Sequence, residues 1–443
     1  MSPKLLIIGG ILIVGIIILL LFVVLQEAGV KTPERVTLEF WGVFDDASFF
    51  DDAIRGYRAI NPRVNISYRK FTFEDYERQL LDSFAAGRGP DIWMMHNTWL
   101  PKHKDKIQPL PQFIQGQKEP LFTFKDFKEQ FVDVAVTDLT DNNQIFALPI
   151  YVDTLTLLYN KDIFNNEGIA RPPATWDEFN NVVEELTQFD QRGNIVRSAA
   201  AIGTSKNINR STDILMLLML QSGVKMVDDS RVGATFSKPV QNENIGEVSL
   251  EYYTDFANPA KRIYTFNNAL HYSIDAFQEG SAAMMFNYSH QIGVIRSKAP
   301  RFNLGIASMP QISLDNIVNY ANYWAPTVSK ASKNQIEAWK FLAYLSSQNG
   351  SIFYLNATSR PAARRDLIEL QKTDPDLGVF ATQALSAHSW YQIDNAAIEN
   401  IFAEMIDNVN FGRLSIRNAL KEAENKVSVL MQRARARELE QQF

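Results

Sequence analysis

From residue 35 onward the sequence predicts an α/β fold built on a mostly parallel sheet. Residues 36–41 alternate polar and apolar side chains, as a strand does. Apolar residues recur at helical spacing over 49–60, and Asn61–Pro62 ends that helix because proline cannot continue it. Residues 64–68 alternate again as a second strand. Strands that take turns with helices are typical of parallel α/β sheets.

The region from Ala147 to Phe179 is the most informative part of this pattern. Leu148–Tyr159 is apolar and rich in β-formers, so we predict a buried strand, and Asp153 is its one charge. Thr175 precedes Glu178 at the spacing of a capping box. A buried carboxylate is costly unless it is paired or faces a cleft. Asp153 therefore either caps a neighbouring loop or faces a ligand, and we favour the ligand.

Composition excludes several classes of protein. The chain has 443 residues, 46% of them hydrophobic, which is enough for two domains with cores. Its net charge of −6 gives no support to a nucleic-acid partner. The absence of cysteine excludes disulfides, thiolate metal sites and a lipid-modified N-terminal cysteine. We find no motif for a metal or cofactor, and predict neither.

The N-terminus predicts a membrane anchor. Leu5–Leu25 is an apolar run, and about 20 such residues in a helix span a bilayer. The run exits into residues 26–30 without the small-residue pattern of a cleavage site. We therefore favour an uncleaved transmembrane helix within residues 1–30, although cleavage near Ala28 or Gly29 stays open. The short N-terminal flank predicts that the body lies on the extracytoplasmic side.

Several segments, in their order, carry a resemblance to a known family. They are Phe40–Trp41, Ala85–Ile92, Pro149–Tyr151, Leu158–Asp162, Pro173–Phe179, Ala276–Gly280, Asn303–Ile306, Glu337–Leu342 and Thr358–Ala362. Together they resemble the family 1 extracellular solute-binding proteins, the maltose-binding-protein-like receptors of ABC importers. The resemblance covers nearly everything from residue 36 to about 430.

The resemblance implies a two-lobed periplasmic-binding-protein-like fold of type II with a cleft between the lobes. Lobe 1 would contain residues 36–150 and 313–355, and lobe 2 residues 151–312 and 356–443. It also implies a carbohydrate ligand and ABC permease subunits as partners. We expect a monomer, and because the sequence has no catalytic motif we predict no enzyme.

Aromatic side chains beside polar ones at predicted strand ends supply the candidate ligand-binding residues. Aromatic faces cover the apolar faces of sugar rings, and planar polar groups bond the hydroxyls. For each aromatic alone, core packing is the alternative. The candidates are Trp41, Phe44, Asp45, Asn97, Trp99, Tyr151, Asp153, Asn287, Tyr288, His290, Tyr323, Trp324, Trp390 and Tyr391.

The resemblance assigns roles to some of these residues. Trp390–Tyr391 stands where the maltose-binding relatives stack a Trp-Tyr pair on sugar, and Asp153 stands at a carboxylate that binds hydroxyls. His290 replaces another stacking Trp. After the strand that follows Asp91, those relatives use Trp, Asp and Arg to bind sugar. The rough equivalents here are Met95, Thr98 and Trp99. These departures argue against maltose itself while keeping a sugar-type cleft.

The sequence therefore predicts the extracytoplasmic substrate-binding component of an ABC importer, which delivers a carbohydrate, expected to be an oligosaccharide, to the permease. Two other classes stay open. One is a membrane-anchored sensing or cell-surface binding protein on the same fold. The other is a surface glycan hydrolase, which needs two facing carboxylates, and the sequence aligns no second acid with Asp153.

Overall fold

The computed structural model describes residues 35–115 and 118–440, without the side chains of 438–440. The predicted anchor at Leu5–Leu25 lies outside these residues. Over the part of the chain that is described, no helix combines the length and apolarity needed to cross a membrane.

Within the described residues, thirteen strands form the sheets. In chain order they are β1 (Val36–Val43), β2 (Val64–Phe71), β3 (Ile92–His96), β4 (Thr140–Asp141), β5 (Gln144–Ile145), β6 (Thr156–Asn160), β7 (Gln188–Phe189), β8 (Ile195–Ala200), β9 (Ala282–Asn287), β10 (Leu304–Ala307), β11 (Asn319–Tyr320), β12 (Trp324–Val328) and β13 (Ala387–His388).

Helices alternate with these strands, and two helices follow the last strand. They are α1 (Asp51–Ile60), α2 (Phe73–Ala85), α3 (Leu100–His103), α4 (Phe124–Gln130), α5 (Asp133–Leu139), α6 (Lys161–Asn166), α7 (Trp176–Leu186), α8 (Ser211–Gln221), α9 (Ile245–Asp255), α10 (Ser273–Gln278), α11 (His290–Lys298), α12 (Gln335–Leu345), α13 (Gln348–Thr358), α14 (Arg365–Gln371), α15 (Gly378–Ala384), α16 (Asn395–Asn410) and α17 (Ile416–Glu440).

Two larger sheets organise the molecule. The first has the order β12-β3-β1-β2, with β1, β2 and β3 parallel and β12 antiparallel to β3. The second has the order β10-β6-β9-β8-β7, in which only β8 and β9 run parallel. The first sheet confirms the parallel pattern predicted for residues 36–95. At its entry, the Asp91 carboxylate accepts the backbone N–H of Glu39 at 2.9 Å. In the second sheet the prediction of a mostly parallel sheet is wrong, because most of its neighbouring strands pair antiparallel.

Each of these sheets has its own hydrophobic core. The first core takes residues from Leu38 to Val152 and again from Ala321 to Ala387. The second takes residues from Leu155 to Tyr320 and again from Phe380 to Met431. The chain thus changes cores next to Asp153 and again after Tyr320. Residues between 362 and 368 also pack in the first core. The lobe boundaries at residues 150, 312 and 355 stay predictions.

The strand predicted at Leu148–Tyr159 is wrong over its first eight residues. Regular pairing begins at Thr156, and residues 148–155 are buried but make only isolated bridges, Tyr151 with Ala362 and Thr154 with Ala321. The reason is that the chain here leaves one core for the other. The capping box at Thr175 forms in part: Thr175 accepts the N–H of Glu178 at 3.2 Å, but the Glu178 carboxylate accepts the N–H of Ala174 instead.

Candidate functional site

A cavity of about 270 Å³ lies where the two cores meet. Predicted site residues that line it are Phe44, Tyr151, Asp153, Tyr288, His290 and Trp324. The sequence analysis missed the other lining residues, Phe73, His96, Arg210, Asn322, Arg360, Asn395 and Glu399. The cavity therefore combines rings, carboxylates, amides and two guanidinium groups.

Asp153 both lines this cavity and holds a helix. Its carboxylate accepts the Ser289 hydroxyl at 2.6 Å and the Ser289 backbone N–H at 3.1 Å, just before α11 begins. It also accepts the N–H of Thr154 at 2.9 Å. Burial raises the pKa of Asp153 to about 6, although these hydrogen bonds oppose the rise. Asp153 thus both caps a neighbouring segment and lines the cavity, so the two alternatives considered for it hold together.

Asp45, another predicted site residue, does not line the cavity but positions a residue that does. Its carboxylate forms an ion pair with Arg360 at 2.7 Å and accepts the Tyr354 hydroxyl at 2.7 Å. The Arg360 guanidinium lies 4.3 Å from the ring centroid of Tyr151. Asp45 therefore fixes a cation against an aromatic wall of the cavity.

Aromatic side chains form the mouth of the cavity. Phe44 and Phe73 stack with their ring centroids 5.5 Å apart, and both are about half exposed. Trp324 meets each of them edge-on, at 5.9 Å and 6.3 Å. Phe44 has a φ of +67°, a left-handed conformation that is uncommon outside glycine. Exposed rings at a cavity mouth offer flat apolar faces to a ligand.

Histidines in the cavity act as neutral groups. Burial lowers the pKa of His96 to about 4, and the Asn322 amide oxygen lies 3.3 Å from its Nε2. Burial lowers the pKa of His290 as well, and the positive charges of Arg210 and Arg360 lower it further. The His290 ring lies nearly parallel to Tyr288, with 6.3 Å between ring centroids. A neutral imidazole can both donate and accept hydrogen bonds.

Several predicted residues lie around a second cavity of about 430 Å³. Asn97, Trp390 and Tyr391 line it. Asp138, which also lines it, accepts Asn97 at 2.9 Å and the Tyr323 hydroxyl at 3.0 Å. The indole N–H of Trp390 points to Met216 Sδ at 3.4 Å, so this ring is held in the second core.

The remaining predicted residues support the first cavity or the core. The Trp99 indole donates to Asn395 at 2.9 Å, and Asn395 lines the cavity. Asn287 is buried and accepts the backbone N–H of Tyr288 at 2.9 Å. Trp41 packs on Phe71 at 4.6 Å.

Among the missed residues, Arg210, Arg360 and Glu399 carried little signal in the sequence. Arg360 stands within a segment that supported the family resemblance, but it has no aromatic neighbour in the sequence. Arg210 precedes α8, and Glu399 lies in the first turns of α16. A search for aromatic residues beside polar ones at strand ends does not reach such positions.

The fold and the cavity define a solute-binding protein. Residues 54–378 match the sequence model of the bacterial extracellular solute-binding protein family. Because this match covers well over half of the chain, the protein belongs to that family.

Two relatives of known name are also binding proteins. A multiple sugar-binding protein of Streptococcus mutans is 23% identical over 362 residues, covering 78% of this chain and 79% of that protein. A maltotriose-binding protein of Pyrococcus abyssi is 22% identical over 313 residues, covering 68% and 60%.

Solved structures share the fold. A cyclic α-maltosyl-1,6-maltose binding protein from Arthrobacter globiformis superposes with a TM-score of 0.74 at 19% identity, covering 90% of this chain and all of that one. An ABC transporter solute-binding protein from Thermotoga lettingae bound with α-D-tagatose gives 0.69 at 22%, covering 89% and 99%. This likeness confirms the predicted α/β periplasmic-binding-protein-like fold.

Proposed function

We propose that this protein is the extracytoplasmic substrate-binding component of an ABC importer, and that it captures a carbohydrate in the cavity between the two cores. One observation carries the proposal. The cavity is lined by the rings of Phe44, Trp324 and Tyr288 together with the polar groups of Asn322 and Arg360. Rings that cover apolar sugar faces and planar groups that bond hydroxyls are what carbohydrate recognition needs.

The relatives support the same class of ligand. The protein from Streptococcus mutans is named for sugars and that from Pyrococcus abyssi for maltotriose. Since the site residues differ from those of the maltose-binding relatives, we propose a different carbohydrate. Residues 5–25 would tether the body outside the cell as a monomer with a type II fold, and the lobes would close around the ligand for the permease to recognise.

The test is a calorimetric titration of the full-length protein with a panel of mono- and oligosaccharides, amino acids and polyols. We expect a carbohydrate to bind with a Kd near 1 µM, about −8 kcal/mol. Phe44→Ala should weaken its binding threefold to tenfold, because aromatic contacts contribute about 0.5–1.5 kcal/mol. Phe113→Ala is the matched control, since Phe113 is an exposed ring away from the cavity. Binding of amino acids or polyols but of no carbohydrate would contradict the proposal.

A glycan hydrolase is the second candidate, because Glu399 shares the cavity with Asp153. Burial, followed by the Asp213 carboxyl, raises the pKa of Glu399 to about 7, a value suited to a general acid. However, Asp153 is already bonded by Ser289 and Thr154. An assay for released reducing ends decides: turnover that Glu399→Gln abolishes would establish the hydrolase.

A further inference from the structure

The cavity contains two arginines in different situations. The charge of Arg360 is paired with Asp45, and its Nη1 lies 3.1 Å from the Tyr354 hydroxyl. Arg210 reaches the cavity from the other core, and its buried Nε has no hydrogen-bond partner among the described residues. Its guanidinium lies 5.4 Å from the ring centroid of Tyr288. A buried donor without a partner needs an explanation, and at a cavity wall a ligand acceptor supplies one.

The backbone around Arg210 is fixed in place. Arg210 itself has φ +66° and ψ 23°, a left-handed conformation, at the position just before α8. Its neighbour Asn209 donates its backbone N–H to the Ser273 hydroxyl at 2.9 Å and its amide to the Tyr272 hydroxyl at 2.8 Å. Asn209 also accepts the Asn287 amide at 3.0 Å. Strained positions that persist in a well-bonded loop are common at binding sites.

Three acidic side chains lie near this cation, and each is hydrogen-bonded to another group or partly protonated. Asp153 is bonded by Ser289 and Thr154. Asp213 interacts electrostatically with Arg210 and accepts the Tyr288 hydroxyl at 2.7 Å. Glu399 also acts on Arg210, but its pKa of about 7 leaves it partly protonated near neutrality.

We propose that the ligand is a carbohydrate bearing a carboxylate, such as a uronic acid, and that Arg210 binds that carboxylate. This rests on the proposed function and names its substrate class. A guanidinium matches the planar carboxylate with parallel hydrogen bonds, and its unpartnered Nε–H would gain an acceptor. The volume of about 270 Å³ lies just below the usual range of ligand pockets, about 300–1,000 Å³, so a single acidic ring would fill its enclosed part.

The test uses matched pairs that differ only at C6: galacturonate with galactose, and glucuronate with glucose, together with digalacturonate. Each is titrated calorimetrically into the full-length protein at pH 7. We expect the acid of at least one pair to bind tenfold or more tightly than its neutral partner. Arg210→Gln should cost the acid at least tenfold and leave the neutral sugar within threefold. Arg210→Lys keeps the positive charge but not the paired N–H donors of the guanidinium, so its loss of affinity for the acid should be intermediate.

The matched control is Arg413→Gln, since Arg413 also lies over a ring, that of Phe411 at 4.9 Å, but away from the cavity. Equal or tighter binding of the neutral sugar in every pair would overturn the inference and leave carbohydrate binding standing. An equal loss for acid and neutral sugar in both Arg210 variants would overturn it too. If none of these compounds binds while a neutral oligosaccharide does, the acidic class is wrong. If no carbohydrate binds, the proposed function fails with it.

Discussion

Arg360 and Asp45 form an ion pair across 315 positions of sequence, with 2.7 Å between Nη2 and Oδ1. The Arg360 and Asp45 side chains are only 12% and 4% exposed. The pair joins the loop after β1 to the segment that follows α13, beside the cavity. It therefore links the fold of the first core to the shape of the candidate site.

Breaking this pair should destabilise the protein strongly. Asp45→Ala leaves a largely buried guanidinium without its partner, and such changes cost about 3–5 kcal/mol. Urea unfolding followed by circular dichroism measures the loss. The control is Glu129→Ala, which breaks the exposed pair with Lys125 and should cost less than about 0.5 kcal/mol. Equal losses in the two variants would show that the buried pair has no special weight.

The ionisation of Asp153 should make stability depend on pH. Its pKa is about 6 in the folded protein and near 3.8 in the unfolded chain. A raised pKa favours folding below about pH 4, and this contribution is lost as the pH rises through 6. At about 1.4 kcal/mol per pKa unit, the free energy of unfolding should fall by up to about 3 kcal/mol across that range.

Asp153→Asn isolates this effect, because an amide does not titrate there. In urea unfolding at pH 4, 5, 6 and 7, the wild type should lose stability relative to Asp153→Asn between about pH 4 and pH 6, and the difference should level off above pH 6. Parallel pH profiles for the wild type and Asp153→Asn would contradict the prediction.

Local sequence patterns predicted the fold well where the residues of a strand or helix are enough to determine that element. The alternation at residues 36–41 and 64–68 became β1 and β2. The segment 148–155 failed because its burial comes from crossing between cores, while strand pairing depends on distant partners such as Ala362.

The residues of the candidate site differ in the same way: some are indicated by their sequence neighbours, and others only by packing. Phe44, Tyr288 and Trp324 were found because each ring has polar neighbours in the sequence. Arg210 and Glu399 were missed because their approach to the cavity depends on how α8 and α16 pack, and no local pattern records that. Trp390 was assigned by resemblance and lines a different cavity. Its role in binding stays a prediction.

Gln383 should be a major contributor to stability through its hydrogen bonds. Its buried amide nitrogen lies 3.0 Å from Thr154 Oγ1 and from the Leu155 carbonyl, and its oxygen accepts the Met309 N–H at 2.8 Å. Gln383→Leu keeps much of the volume but leaves these groups unsatisfied, at about 1–3 kcal/mol each. We expect a loss of at least about 2 kcal/mol in urea unfolding. Gln348→Leu, at an exposed glutamine, is the control, and a similar loss there would argue against the hydrogen-bond explanation.

Two helical glycines should respond to alanine in opposite directions. At Gly246 in α9, a Cβ would lie 2.0 Å from the Phe236 carbonyl oxygen, so the backbone must shift, and overpacking of this kind costs about 1–3 kcal/mol. At Gly293 in α11, a Cβ would meet nothing within 4 Å, so alanine should stabilise the helix by about 0.5–1 kcal/mol. Urea midpoints of Gly246→Ala and Gly293→Ala measure both effects against the wild type. A gain at Gly246 would mean that the close approach of α9 to Phe236 does not limit packing there. A loss at Gly293 would mean that free space beside the Cβ does not decide the effect of alanine in α11.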